Sequence, residues 1–159
     1  MKTKSVILVL LLAMSTALYS QTNFSDGLSK GKSQGKKILV NIYSENDNWS
    51  KKMDNVYATD AVRNYVSSNF VYVKLNANGS EKISYSGKDW TASSLSKYFG
   101  ATGYPTHVFL NSDGSVIKFT YNGESTGSFP GYLDAGEFEK LLKYFAENKY
   151  KDTDLGKVL

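Results

Sequence analysis

Continuous apolar runs and runs with helical spacing alternate along the chain and set the order of its elements. Residues 37–44, KILVNIYS, form a compact β-rich run. Its apolar positions are too continuous for a half-exposed strand and predict a central one, buried on both faces. Beyond it Trp49, Met53 and Val56 fall at helical intervals, and after Ala58-Thr59-Asp60 the set Val62, Tyr65 and Val66 does so again. Two helices are therefore expected before the next strand. That strand is FVYVKL, residues 70–75, which alternates and is rich in β-branched residues.

The polar stretch from Asn76 to Asp89 is long for a connection inside a compact domain and has room for a short element. Thr91 is placed to cap ASSLSKYF, in which Leu95, Tyr98 and Phe99 share one helical face. After GATGYP a strand is expected from Thr106. The turn signal NSDGS joins it to VIKFTY, so that the two form a hairpin closed by Asn122 and Gly123. A Gly-rich segment runs on to Tyr132. DAGEFEKLLKYFAEN then opens with a capping-box pattern, Asp134 to Glu137, and carries Phe138, Leu141, Leu142 and Phe145 as its packing stripe. Two regions read less definitely: residues 24–36, with glycines at 27, 31 and 35, as a weak helix or turn-rich lead-in, and residues 149–159 as a loosely held tail. There is no internal repeat and no low-complexity segment.

The first twenty residues change the picture of where the protein works. Lys2 and Lys4 precede an unbroken apolar run from Val6 to Met14, and small residues follow. That is the layout of a secretory signal peptide over residues 1–20, with cleavage near Ser20. The run is shorter than the roughly 20 residues a spanning helix needs. A single domain, residues 21–159, is expected to be exported to a periplasmic or extracellular compartment and to work there as a monomer, away from the membrane. The formal charge of +4 includes Lys2 and Lys4 and falls to about +2 without them. The remaining lysines are spread along the chain, which argues against nucleic acid as a partner. The chain has no cysteine. Disulfide staples, thiol catalysis and thiolate metal sites are thereby excluded, and the apolar core alone must hold the fold.

The residues between the first strand and first long helix, YSENDNWSKKM (43–53), carry a resemblance. Strand, helix pair, strand, helix, hairpin and final helix, with Tyr-Pro-Thr at the start of the hairpin, resemble the thioredoxin fold over nearly the whole of residues 21–159. LVNIYSENDNWSKKM is similar to the exported thioredoxin-like branch whose loop reads Cys-x-Trp-Cys-Lys-Lys-Met: Trp49, Lys51, Lys52 and Met53 stand as they do there. GYPT, residues 103–106, resembles the segment that carries the family's cis-proline. The resemblance implies a three-layer α/β/α domain with a central mixed sheet of about four to five strands. It also implies that Asp47 and Ser50 occupy the positions of the two redox cysteines, and Asn41 that of the buried acid often found in the preceding strand. In the family the first cysteine attacks as a thiolate and the second resolves the mixed disulfide. Neither step is available here, so no thiol-disulfide oxidoreductase activity is expected.

What remains for the loop is binding. The family's groove takes extended peptide beside the cis-proline. The candidate binding residues are accordingly Asn46, Asp47, Asn48, Trp49, Tyr104 and Pro105, with a protein or peptide as partner; the competing reading packs Trp49 under the loop as core. A chaperone-like holder in a thiol-disulfide pathway is the alternative, and an Asp47-dependent enzyme a weaker one. Asp47 reads more simply as a helix N-cap. Ser50, His107 and Asp47 invite a hydrolase triad, yet nothing in the sequence marks a positioned base or an oxyanion hole. His107 reads as a packed strand residue. Glu45, Asp47 and Asp54 match no calcium-loop spacing and read as a solvated acidic rim. No metal and no cofactor are expected. Asn23, Asn48 and Asn78 lie in Asn-x-Ser tripeptides, of which Asn48 alone would place a glycan at the groove.

Overall fold

The computed structural model describes residues 22–159. The expected signal peptide, 1–20, lies outside the described residues. Helix α1 (Phe24–Gln34) leads into strand β1 (Lys37–Tyr43), helices α2 (Asn48–Ala58) and α3 (Asp60–Asn69), and strand β2 (Phe70–Asn76). A small hairpin of β3 (Lys82–Tyr85) and β4 (Lys88–Thr91) fills the polar stretch after β2 and runs into α4 (Ala92–Tyr98). Strands β5 (Thr106–Leu110), β6 (Phe119–Tyr121), β7 (Glu124–Thr126) and β8 (Phe129–Pro130) precede helix α5 (Ala135–Ala146).

The central sheet has the order β2-β1-β5-β8, with β2 parallel to β1 and the other pairings antiparallel. Alternation along its strands builds two cores. Leu39, Tyr72 and Phe109 face α2, α3 and α5, where they join Met53, Val66, Phe138 and Phe145. Ile38, Val40, Val73 and Val108 face α1 and α4, with Phe24, Leu95 and Phe99. The reading of residues 37–44 as a central strand buried on both faces is explained: helices cover both faces of β1, and every residue from Ile38 to Ile42, Asn41 included, is buried. The three-layer α/β/α architecture with a mixed four-stranded sheet is the one the resemblance implied.

Three features depart from the sequence reading. The lead-in is a full helix, and its glycines are contact points rather than turn signals. Gly27 and Gly31 lie on its buried face, where a Cβ would run into Val73 and, at 2.6 Å, into Ile38. Gly35 ends the helix at φ 62°, the left-handed cap that favours glycine. The hairpin after Thr106 is only a base: Ile117 N–H donates to Phe109 O (2.8 Å), Val116 bridges Leu110, and the strands then part. β6 pairs with β7 across Asn122-Gly123, whose φ values of 52° and 84° match the turn that starts a tight hairpin, and β8 takes the place beside β5. Lastly, residues 149–159 are tied down rather than loose. Leu155 is fully buried, Tyr144 Oη donates to Thr153 O (2.7 Å), and the Asp154 carboxylate accepts from the N–H groups of Asn122 and Gly123 (2.9 and 2.7 Å).

Candidate functional site

The loop between β1 and α2 is built around a helix cap. Ser50 N–H donates to Asp47 Oδ2 at 2.6 Å, and Lys51 N–H donates to Asp47 O at 3.2 Å. The side chain thus satisfies one of the donors left over at the start of α2, while the Asp47 carbonyl accepts the first bond of the helix proper. Behind them Ser50, only 2% exposed, accepts from Ser44 N–H through Oγ (3.3 Å), and Ser44 Oγ donates to Asn78 (2.8 Å). The simple reading of Asp47 as N-cap is therefore the observed one. Replacing it by alanine is expected to destabilise the protein by about 1 kcal/mol, read as a shift of the urea midpoint with an unchanged slope.

Each of the residues that a hydrolase would need together is engaged by another partner. The Asp47 carboxylate is held on the backbone of Ser50, the Ser50 hydroxyl on the backbone of Ser44, and His107 Nδ1 lies 3.2 Å from Tyr57 Oη. The acidic rim is equally dispersed: Lys74 pairs with Asp54 (2.8 Å), Asn76 donates to Glu45 (3.1 Å), and among the described residues no group of three potential ligands gathers for a metal.

Under the loop runs a buried polar row. Asn41 and His107 are register partners across β1 and β5, 1% and 0% exposed. Asn41 Nδ2 donates to Tyr72 Oη (3.1 Å), and the Tyr57 and Tyr72 rings lie 4.7 Å apart. Asn41 Oδ1 and His107 Nε2 are buried without a hydrogen-bond partner. In the tautomer in which Tyr57 donates to Nδ1, the imidazole proton is on Nε2, and the row then holds one acceptor and one donor without a partner. Burial pushes the His107 pKa down from 6.5 to about 4; the Gly131 backbone opposes that shift without closing a well-formed bond to Nε2. The position that resembles the family's buried acid thus holds a neutral amide beside a neutral imidazole.

The outer face is aromatic. Trp49 is 51% exposed, which excludes its packing under the loop as core. Its ring lies 5.5 Å from that of Tyr132, and Lys52 Nζ sits 4.2 Å from its centroid. Tyr132 is brought there by β8: Thr106 and His107 pair with Pro130 and Phe129, and Gly131 N–H donates to Pro105 O (2.8 Å). The Tyr104–Pro105 peptide is cis. Of the residues singled out from sequence, Asn46 and Asn48 are exposed beside Trp49, whereas Pro105 is buried and Tyr104 packs half-buried on the Phe24–Leu95–Phe99 core. Tyr132, not Tyr104, is the aromatic that meets Trp49. Its signal in the sequence was slight: one aromatic in a Gly-Pro-rich link, with no periodicity to mark its direction.

Fold, loop and cis-proline segment together define the class. A profile of the thioredoxin-like domain family matches residues 24–146, and the chain belongs to that family. No curated protein matches the chain. Among solved structures it is similar to a thioredoxin-fold protein from Helicobacter pylori, at 18% identity and TM-score 0.60, covering 78% of this chain and 80% of that one. A putative disulphide-isomerase from Bacteroides thetaiotaomicron gives 24% identity and TM-score 0.58, over 80% and 91% of the two chains. A thioredoxin from Thermus thermophilus gives 20% and 0.56, over 79% and 85%. At these identities the likeness is one of fold. With no cysteine in the sequence, this member of the family carries out no thiol-disulfide exchange of its own. No helix among the described residues is long and apolar enough to cross a membrane.

Proposed function

We propose that the protein is an exported, redox-inactive thioredoxin-like module that binds an extended protein or peptide segment at the rim of the former redox loop. The observation that carries this reading is the half-exposed Trp49, held in place by contacts with the Tyr132 ring and the Lys52 ammonium. A large aromatic fixed in position while still open to solvent loses little entropy on binding, and such residues dominate the energetics of interfaces. Asn46, Asp47 and Asn48 flank it with polar groups, and Tyr104 and Pro105 are retained as candidate contacts from the cis-proline segment. Lys51 and Lys52 favour an acidic residue in the partner. A general holder of unfolded chains has less support: among the described residues the exposed large hydrophobic side chains are Trp49, Tyr98 and Tyr132, a narrow surface for promiscuous apolar binding.

The test is selection from a random peptide display library against the wild-type protein, followed by measurement of the selected peptides on the Trp49→Ala, Tyr132→Ala double variant. Loss of the two aromatics is expected to weaken binding by about 30-fold or more. Peptides bound equally by both proteins would show that the rim is not the binding surface.

A further inference from the structure

A second concavity lies away from the loop and shares none of its residues. It is a cleft of about 590 Å³ between the end of α4 and the β6–β7 hairpin, within the range of small-molecule sites, roughly 300–1,000 Å³. One wall is a rigid aromatic platform. Tyr98 is 55% exposed, yet its ring is wedged by Trp90 at 4.7 Å, Phe99 at 5.7 Å and Tyr85 at 6.1 Å. The facing wall carries Lys118 and the hydroxyls of Ser125 and Ser128, and Ser86 stands at its margin.

The polar groups divide into spent and free. Ser115 Oγ donates to Asp113 and Thr126 Oγ1 to Ser128 O, so those two hydroxyls serve their own turns. Among the described residues the side chains of Ser86, Ser125 and Ser128 make no hydrogen bond, and Lys118 is in none of the ion pairs. No carboxylate lines the cleft, and Asp113 is occupied by the N–H and hydroxyl of Ser115. Two glycines shape the space. A Cβ at Gly127 would lie 3.0 Å from Lys118 Nζ and 2.9 Å from Val116 Cγ1, so its absence leaves room for the ammonium there. At Gly100, φ 83°, a Cβ would come within 3.1 Å of Ser128 Oγ, and its absence brings the helix end close to that hydroxyl.

We propose that this cleft binds an acidic saccharide, a sugar ring bearing a carboxylate. A pyranose has apolar C–H faces and a hydroxylated edge, and the cleft offers surfaces to match: an exposed aromatic ring, and around it three uncommitted hydroxyls, those of Ser125 and Ser128 on the facing wall and that of Ser86 at the margin. An apolar ligand would strip those hydroxyls of water without replacing its bonds. A bare anion would leave Tyr98 unused. The unpaired Lys118 ammonium, in a cleft without acids, selects for the carboxylate through a charge-assisted hydrogen bond.

The probes are D-glucuronate, D-glucose and benzoate, titrated into ¹⁵N-labelled protein while the backbone amides of Ser125, Gly127 and Ser128 are followed. Saturable shifts at these amides are expected with glucuronate, about tenfold tighter than with glucose. Lys118→Gln, at an exposed site outside both cores, should bring the two sugars to within about twofold of each other. Tyr98→Ala should weaken both, and its fold is checked by the unchanged amide shifts of β1 and β5. The absence of saturable shifts with either sugar would overturn the proposal. So would benzoate binding as well as glucuronate, which would assign the cleft to aromatic acids, or a glucuronate preference that survives Lys118→Gln.

Discussion

The double replacement Asp47→Cys, Ser50→Cys is expected to turn an inert protein into a thiol-disulfide reductant, with an insulin-reduction rate at least ~10-fold above the wild-type background. The argument is geometric. Residue 47 sits at the N-cap of α2 with its side chain already directed at the helix terminus, since Asp47 Oδ2 reaches the Ser50 N–H at 2.6 Å. A thiolate at that position inherits the same N–H donors and the positive end of the helix, which lower a thiol pKa. Residue 50 lies one turn in and is 2% exposed, the place of a buried resolving thiol. Loss of the carboxylate cap costs about 1 kcal/mol, too little to unfold a domain with two extended cores. The wild-type rate is zero because the chain has no cysteine. Adding Asn41→Asp should raise the rate further by placing a proton acceptor beneath the second thiol, at a stability cost of about 1–3 kcal/mol for a buried carboxyl near Tyr72. Failure of the two cysteines to form a disulfide on mild oxidation, read by thiol counting, would mean that the loop no longer holds the geometry it resembles.

How much of this was legible depended on whether a residue's role is local or set by packing. The Asp47 cap and the Asp134–Glu137 capping box were readable because both depend on a three-residue spacing. β1 was readable because a strand covered on both faces leaves a dense apolar run, here interrupted only by Asn41. α1 was not, because Gly27 and Gly31 look like breakers until the sheet they approach is known. The partner of VIKFTY was not either: periodicity marks a strand but does not say what it pairs with, and the Asn122-Gly123 turn committed it to β7. At the candidate site, Trp49 was picked out by its place in the motif and Tyr104 by adjoining Pro105. Packing on the second core turns Tyr104 inward, and β8, invisible as a two-residue strand, supplies Tyr132 in its stead. The cleft at Tyr98 had no signature because its walls come from four separate segments.

Acid is expected to destabilise the protein through one residue. His107 is the only histidine in the chain, it is fully buried, and its folded pKa of about 4 lies well below the unfolded value of 6.5. Above pH 6.5 both states hold it neutral and it has no effect on the pH profile. Between pH 6.5 and 4 the unfolded chain takes up a proton that the native state refuses, so stability falls as pH falls, with a slope approaching 1.4 kcal/mol per unit. The loss levels off below pH 4 at about 3 kcal/mol. The surroundings explain why the native state refuses the proton: the neighbours are Tyr57 on α2, Asn41 on β1 and the Phe138 ring on α5 at 5.1 Å, none of them an anion. Asp113 and Asp154 also carry depressed pKa values, held below the usual carboxylate value chiefly by hydrogen bonds from the Ser115 side chain and the Gly123 backbone. Their contributions are fully present well above the unfolded carboxylate pKa and are lost as pH falls from about 5 downward, which leaves the window from 6.5 to about 5 to His107. Urea unfolding at a series of pH values, followed by tryptophan fluorescence, should show this slope in the wild type and a nearly flat profile in His107→Gln, which keeps a polar group for Tyr57 and cannot be charged. A His107 ring proton titrating near pH 6.5 by NMR would contradict the account, because it would place the imidazole in contact with water or an acid rather than in the dry row beneath the loop.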